Sequence, residues 1–223
     1  MDRFMITHSL LSSWLYAMKP NPYDDSTSER DPFDDFLRTL RREPSETTKP
    51  MQLGHDFEDL VTAILYGEPT AVYHKEDWKT KELIEERYRT DEHPWYQAAA
   101  QIAGEISGSM LQFKAKREIE VNGRRILLYG RLDGLGAGEI TDIKYSGNYE
   151  RGKFYDSTQH PMYFELIPEA TIFTYTISNG KEVWHEPYRR EETRSIVPII
   201  ADFLEYLRTA GLIGVYEEYW KAL

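Results

Sequence analysis

The chain has 223 residues, 40% of them hydrophobic and 29% charged, an ordinary balance for one domain with a full core. It has no cysteine, which excludes disulfides, thiolate zinc sites and cysteine-held iron–sulfur clusters and fits a cytosolic, cytoplasmic protein. No apolar run approaches the roughly 20 residues of a membrane span, and Met1-Asp2-Arg3-Phe4-Met5-Ile6 lacks the apolar stretch of a signal peptide, so no membrane partner is expected.

In chain order, residues 4–18 set Phe4, Leu10, Leu11, Trp14, Leu15 and Met18 at helical spacing, with Thr7 or Ser9 as N-cap and Pro20-Asn21-Pro22 as the stop. A short helix is expected from Asp31-Pro32, with Phe33, Phe36, Leu37 and Leu40 on one side, and residues 44–50 read as a loop. Residues 51–66 form a helix in which Leu53, Phe57, Leu60, Val61, Ile64 and Leu65 repeat at three and four, ended by Gly67 and Pro69. The highly charged residues 75–91 read as an exposed helix, broken by Pro94 ahead of an alanine-rich helix near 95–104. Strands follow at Leu111 to Val121 and Arg124 to Asp133, around the favoured hairpin dipeptide Asn122-Gly123. A strand carrying Asp142 comes next, then a helix over 153–166 and a second hairpin, 170–178 and 182–188, around Asn179-Gly180. Helices at 191–208 and 211–221 complete the chain. The expected fold class is α/β (α+β), one central mixed sheet flanked by helices. The expected organisation is a single domain: a helical N-terminal extension over 1–50, a core over 51–188 and C-terminal helices over 189–223.

Chemistry concentrates between Gly130 and Lys144. The strand ending in Asp133 meets, after a glycine-rich turn, a strand bearing Asp142 and Lys144 two residues apart and therefore on one face. Ile143 points to the opposite layer. Two carboxylates and an ammonium at the end of a hairpin need partners that a core does not supply, and a divalent cation is one, because hard cations take carboxylate oxygens. A surface ion-pair cluster is the plainer reading of the same three residues. The net charge of −11 speaks against nucleic acid, but its distribution does not: residues 101–160 hold nine basic and eight acidic side chains, which leaves −12 on the rest of the chain.

An acid at a strand end followed by Asp-x-Lys on the next strand resembles the PD-(D/E)xK nuclease superfamily, with Asp133, Asp142 and Lys144 in the matching places. Leu132 precedes Asp133, so the proline-aspartate pair of the name is absent. Asp77-Trp78-Lys79 satisfies the short pattern too, without an upstream strand acid, and reads as a solvated helix face. Two further signatures resemble the RecB-type, exonuclease-like branch. Gly54-His55-Asp56-Phe57-Glu58 matches its upstream helix motif, with Glu58 in the metal-holding place. His55 and Asp56 do not align with it. Gln159-x-x-x-Tyr163 matches its downstream helix signature, and residues four apart share a helix face. Read alone, Glu58 is a solvent-facing helix acid, and Gln159 and Tyr163 are a cap and a core ring. The order of the four motifs joins them. The segment from Ile6 to Trp14 also resembles the start of many of these nucleases, so the resemblance covers roughly residues 6–178.

The resemblance implies a restriction-endonuclease-like core and hydrolysis of phosphodiesters in DNA. Glu58, Asp133, Asp142 and the carbonyl of Ile143 would hold one or two Mg²⁺ or Mn²⁺ ions, and Lys144, Gln159 and Tyr163 would complete the catalytic set. It leans toward exonucleases that process DNA ends in recombination or repair, often encoded by phages. Their expected partners are DNA and either a second copy of the chain or a recombination or repair protein. A restriction-type endonuclease and a catalytically silent binding module on the same fold are the competing expectations.

Overall fold

In a computed structural model, residues 3–19 and 31–222 are described. Strand β1 (Arg3–Ile6) leads into helix α1 (His8–Met18), whose N-cap Thr7 accepts a hydrogen bond from the Leu10 N–H at 3.2 Å. Helix α2 (Pro32–Leu40) has Asp31 as its cap and Pro32 at its first position. Helix α3 (Lys49–Tyr66) runs from Thr48 to Gly67, which closes it in the left-handed region at φ 67°. The next elements are β2 (Thr70–Glu76), β3 (Leu83–Arg89), α4 (Tyr96–Ile106), β4 (Met110–Val121), β5 (Arg124–Leu135) and β6 (Glu139–Tyr145). The chain ends with α5 (Gln159–Leu166), β7 (Ile172–Ser178), β8 (Val183–Arg189), α6 (Val197–Thr209), α7 (Ile213–Tyr219) and β9 (Lys221–Ala222).

The fold is mixed α/β, with a central mixed sheet between layers of helices. Its strand order is β8-β7-β6-β5-β1-β9, with β4 on β5. The β4–β5 hairpin turns at Asn122 and Gly123, both at positive φ (52° and 74°), as a two-residue turn matching the strand twist requires. One face of the sheet carries a core cluster that includes Leu10, Trp14, Phe36, Leu128, Phe173 and Phe203, under α1, α2, α5 and α6. The other carries Phe57, Leu60, Trp95, Ile102 and Ile143, under α3 and α4.

Three expectations are corrected. Phe4 lies in β1, not in a helix: the N-terminal segment enters the sheet, parallel to β5 over Arg125–Leu128 and antiparallel to β9. Four residues are too few for periodicity to separate strand from helix, and sheet pairing decides. Residues 75–91 are not a helix but most of the β2–β3 hairpin, in which His74 faces Glu85 and Tyr73 faces Glu86. Its open face is charged enough to hide the period of two. Asp77-Trp78-Lys79 lies at its turn, where the Asp77 carboxylate accepts the N–H groups of Lys79 and Thr80 at 2.8 Å each. Third, the helices expected from 153 and 191 begin only at Gln159 and Val197, and the one expected to reach 221 gives way to β9. The stop read at Pro20-Asn21-Pro22 lies outside the described residues.

One irregularity of the sheet positions everything that follows. β4 pairs along one edge of β5 from end to end, so β1 and β6 share the other edge. β1 takes Arg125–Leu128, while β6 pairs only at Gly134 and Leu135 and then leaves to run parallel to β7. Between them, residues 129–133 of β5 face a gap.

Candidate active site

Side chains from both layers meet at that gap. The Oδ2 of Asp133 accepts the Ile143 N–H at 2.8 Å, so the acid bridges the strands where backbone pairing has stopped. A strand residue's N–H and C=O point to the same edge, so the Ile143 carbonyl also looks into the gap. The Ile143 side chain packs in the α3–α4 cluster, and the alternation of β6 turns Asp142 and Lys144 to the α5 side. Lys144 Nζ lies 2.6 Å from the buried Asp142 Oδ2, an ion pair that sets the ammonium beside that oxygen. The other oxygen, Oδ1, accepts from the Gln159 amide at the first turn of α5.

One turn further on, the Tyr163 hydroxyl donates to the Arg131 carbonyl at 2.9 Å. This close seating of α5 on β5 depends on Gly130, where a Cβ would stand 2.7 Å from the Tyr163 ring and 2.8 Å from Leu166. From the opposite layer, Glu58 of α3 lines the same pocket of about 300 Å³ as Asp133, Asp142, Lys144, Gln159 and Tyr163. His8, at the start of α1, joins them with its ring edge-on to Tyr163 and its Nδ1 buried without a partner.

The acids raise one another's affinity for protons. Burial first, then the carboxylates of Asp142 and Glu58, push Asp133 up to about 7. Burial likewise raises Glu58, against the opposing pull of Lys144. For Lys144, burial works to lower the pKa, but Asp142, Asp133 and Glu58 outweigh it and hold the ammonium above its ordinary range. Burial, and then the Lys144 charge, lower His8 to about 3, so it is neutral near pH 7.

The structure thus brings six of the expected side chains to one pocket, with two differences in their roles. Gln159, which read alone is a cap, is buried and its amide donates to Asp142. The Tyr163 hydroxyl is occupied by a backbone carbonyl. Of the other two titratable residues in the Gly54–Glu58 motif, His55 is exposed, and Asp56 is buried away from the pocket, bonded to Gln52 and to the backbone and ring of His74. Thr7, His8, Ser9, Tyr129 and Arg131 line the pocket without having been singled out as site residues. A polar triplet ahead of an apolar helix reads as a cap, and nothing in its spacing shows which pocket it borders.

Among the described residues, no three His, Asp or Glu side chains are gathered as a ready-made metal cage. The chemistry of the set still fits a hard cation: three carboxyl groups line one pocket, and Asp142 and Glu58 raise Asp133 by repulsion. No helix among the described residues is long and apolar enough to cross a membrane. The chain matches no family model and no curated protein. One similar solved structure, the crystal structure of SSO0001, shares 16% identity at a TM-score of 0.42. The match covers 51% of this chain, which thus spans 57% of that one.

Proposed function

We propose that this chain is a metal-dependent nuclease of the PD-(D/E)xK superfamily, RecB-type branch, on a restriction-endonuclease-like core. In this reading it is an exonuclease that hydrolyses phosphodiesters at the ends of linear DNA in recombination or repair. The observation that carries it is the meeting of Glu58, Asp133, Asp142, Lys144 and Gln159, from four separate elements, in one pocket at the gap between β5 and β6. Glu58, Asp133, Asp142 and the Ile143 carbonyl would hold Mg²⁺ or Mn²⁺, which when bound supplies positive charge at the scissile phosphate and lowers the pKa of a water.

The chain's own residues do the rest. Water adds to phosphorus and loses a proton to solvent, the bond to the departing sugar oxygen breaks, and that oxygen takes up a proton from solvent. Lys144 stays protonated among its acids and sits where negative charge grows on the phosphoryl oxygens. Gln159 fixes the rotation of the Asp142 carboxylate, and Tyr163 ties the start of α5 to β5, so that the amide arrives in register.

A catalytically silent binding module is favoured by a different observation: both Asp142 oxygens already face groups of the protein, Gln159 and Lys144. Purified protein with Mg²⁺ and matched linear and circular DNA separates the readings. Loss of linear DNA alone is the expected result. Discrete bands point to a restriction-type endonuclease, and binding without cleavage overturns the enzymatic reading in favour of the silent module.

A further inference from the structure

The ladder between β4 and β5 misses one rung. Leu111 pairs with Gly134 and Phe113 with Leu132, but Gln112 and Asp133, opposite each other between them, do not pair. Gln112 has φ 51°, in the left-handed region that a side chain with a Cβ seldom adopts inside a strand. Both strands change face at this rung. Leu111 packs against the α3–α4 cluster, yet Ala115, four residues on, lies in the opposite one. Leu132 lies in the α1–α5 cluster, yet a Cβ on Gly134 would point at Ser109 and Ile106, on the α4 side. In an unbroken strand, residues two or four apart share a face, so the backbone is rotated here.

Packing does not account for the strain, because Gln112 is exposed. What the rotation accompanies is a side-chain contact: Gln112 Nε2 donates to Asp133 Oδ1 at 3.3 Å. With the Ile143 N–H on Oδ2, both oxygens of Asp133 are held, one by β4 and one by β6. The arrangement mirrors Gln159 on Asp142. Each strand acid of the site receives an amide from a neighbouring element.

We propose that Gln112 is a positioning residue for Asp133, kept in a strained backbone because that conformation brings its amide to the carboxylate. The proposal rests on the nuclease reading, with Asp133 as a working group of the site. Gln112→Gly tests it, because glycine takes positive φ freely and removes only the amide and the strain. The variant should melt a few degrees higher. Its kcat on linear DNA should fall about 10–100-fold, as for other groups that orient a metal-binding acid. KM for DNA should be unchanged, since Gln112 does not touch substrate. Wild-type kcat in Gln112→Gly overturns the proposal. So does a lowered melting temperature with full activity per folded molecule, which marks the residue as structural. If the wild-type protein cleaves no DNA, the nuclease reading falls, and the link is judged by the ¹³C resonance of the Asp133 carboxyl. A displaced resonance in Gln112→Gly sustains the link; an unchanged one overturns it.

Discussion

In the proposed nuclease Lys144 would have two tasks at once, a charge for the chemistry and a counter-charge for a buried acid. Asp142 is nearly inaccessible, and its Oδ2 faces the ammonium at 2.6 Å. Lys144→Ala therefore leaves a buried carboxylate uncompensated as well as removing the proposed catalytic ammonium. Breaking a fully buried pair costs about 3–5 kcal/mol. The lysine side chain is 32% exposed, so a loss of about 1–3 kcal/mol is the expectation after solvent screening. Adding Asp142→Asn to Lys144→Ala removes the stranded charge and should recover most of the melting temperature, while cleavage stays absent in both variants. Thermal melts beside a linear-DNA assay check this. A single Lys144→Ala variant that melts like the wild type shows the ion pair to be idle, and one that turns over normally removes Lys144 from the mechanism.

At the scale of elements, the gap between β5 and β6 makes the site, and α5 must lie close enough to fill it. Gly130 permits that approach. In Gly130→Ala, the added methyl meets the Tyr163 ring and the Leu166 side chain below 3 Å, and both are buried with little room to move. Overpacking of this kind costs about 1–3 kcal/mol, and here the strain is relieved by lifting α5 off β5. Gln159 then moves away from Asp142, so Gly130→Ala should lose turnover beyond its loss of stability. A melt and an activity assay at a temperature where the variant is fully folded would show it, and equal specific activity there argues against α5 as the positioning element.

This geometry also marks what could be read in advance. The Asn122-Gly123 hairpin, the α3 stripe and the two-residue spacing of Asp142 and Lys144 are local patterns, and local chemistry expresses them directly. Glu58, Asp133, Gln159 and Tyr163 were legible through their order along the chain. By contrast, β1 becomes a strand only because β5 and β9 offer it edges, and the charged face of β2 and β3 masks their alternation. His8 and Gln112 owe their places to neighbours more than 20 residues away along the chain, Tyr163 and Asp133, and no spacing encodes such contacts.

For the molecule as a whole, buried histidines and buried carboxyls pull the response to acid in opposite directions. His160 is 3% exposed, its ring stacked on Tyr188 at 4.0 Å with Nδ1 3.2 Å from the Tyr175 hydroxyl. Burial, and then the Arg194 charge, lower its pKa to about 4, and His8 is lowered to about 3. Below the unfolded value of 6.5, the unfolded chain takes up these protons and the native chain refuses them, so stability falls as pH drops from about 6.5 to about 4. Asp133 acts in the opposite sense: raised to about 7, it holds its proton better in the native state, and it adds stability as pH falls through the same window. His93, also lowered by burial, joins the histidines, and Glu58, also raised by burial, joins Asp133, so the slope of the whole molecule is the difference between the two sets. Glu186 adds to the loss at the acid end. Burial alone would raise it, but donors including the hydroxyls of Tyr188 and Tyr149 hold it below its ordinary range, and its contribution disappears as it protonates. In urea unfolding from pH 7.5 to 4, His160→Gln should gain stability relative to the wild type toward acid, by up to about 3 kcal/mol between the two ends. A His160→Gln profile parallel to that of the wild type would place the acid sensitivity elsewhere in the chain.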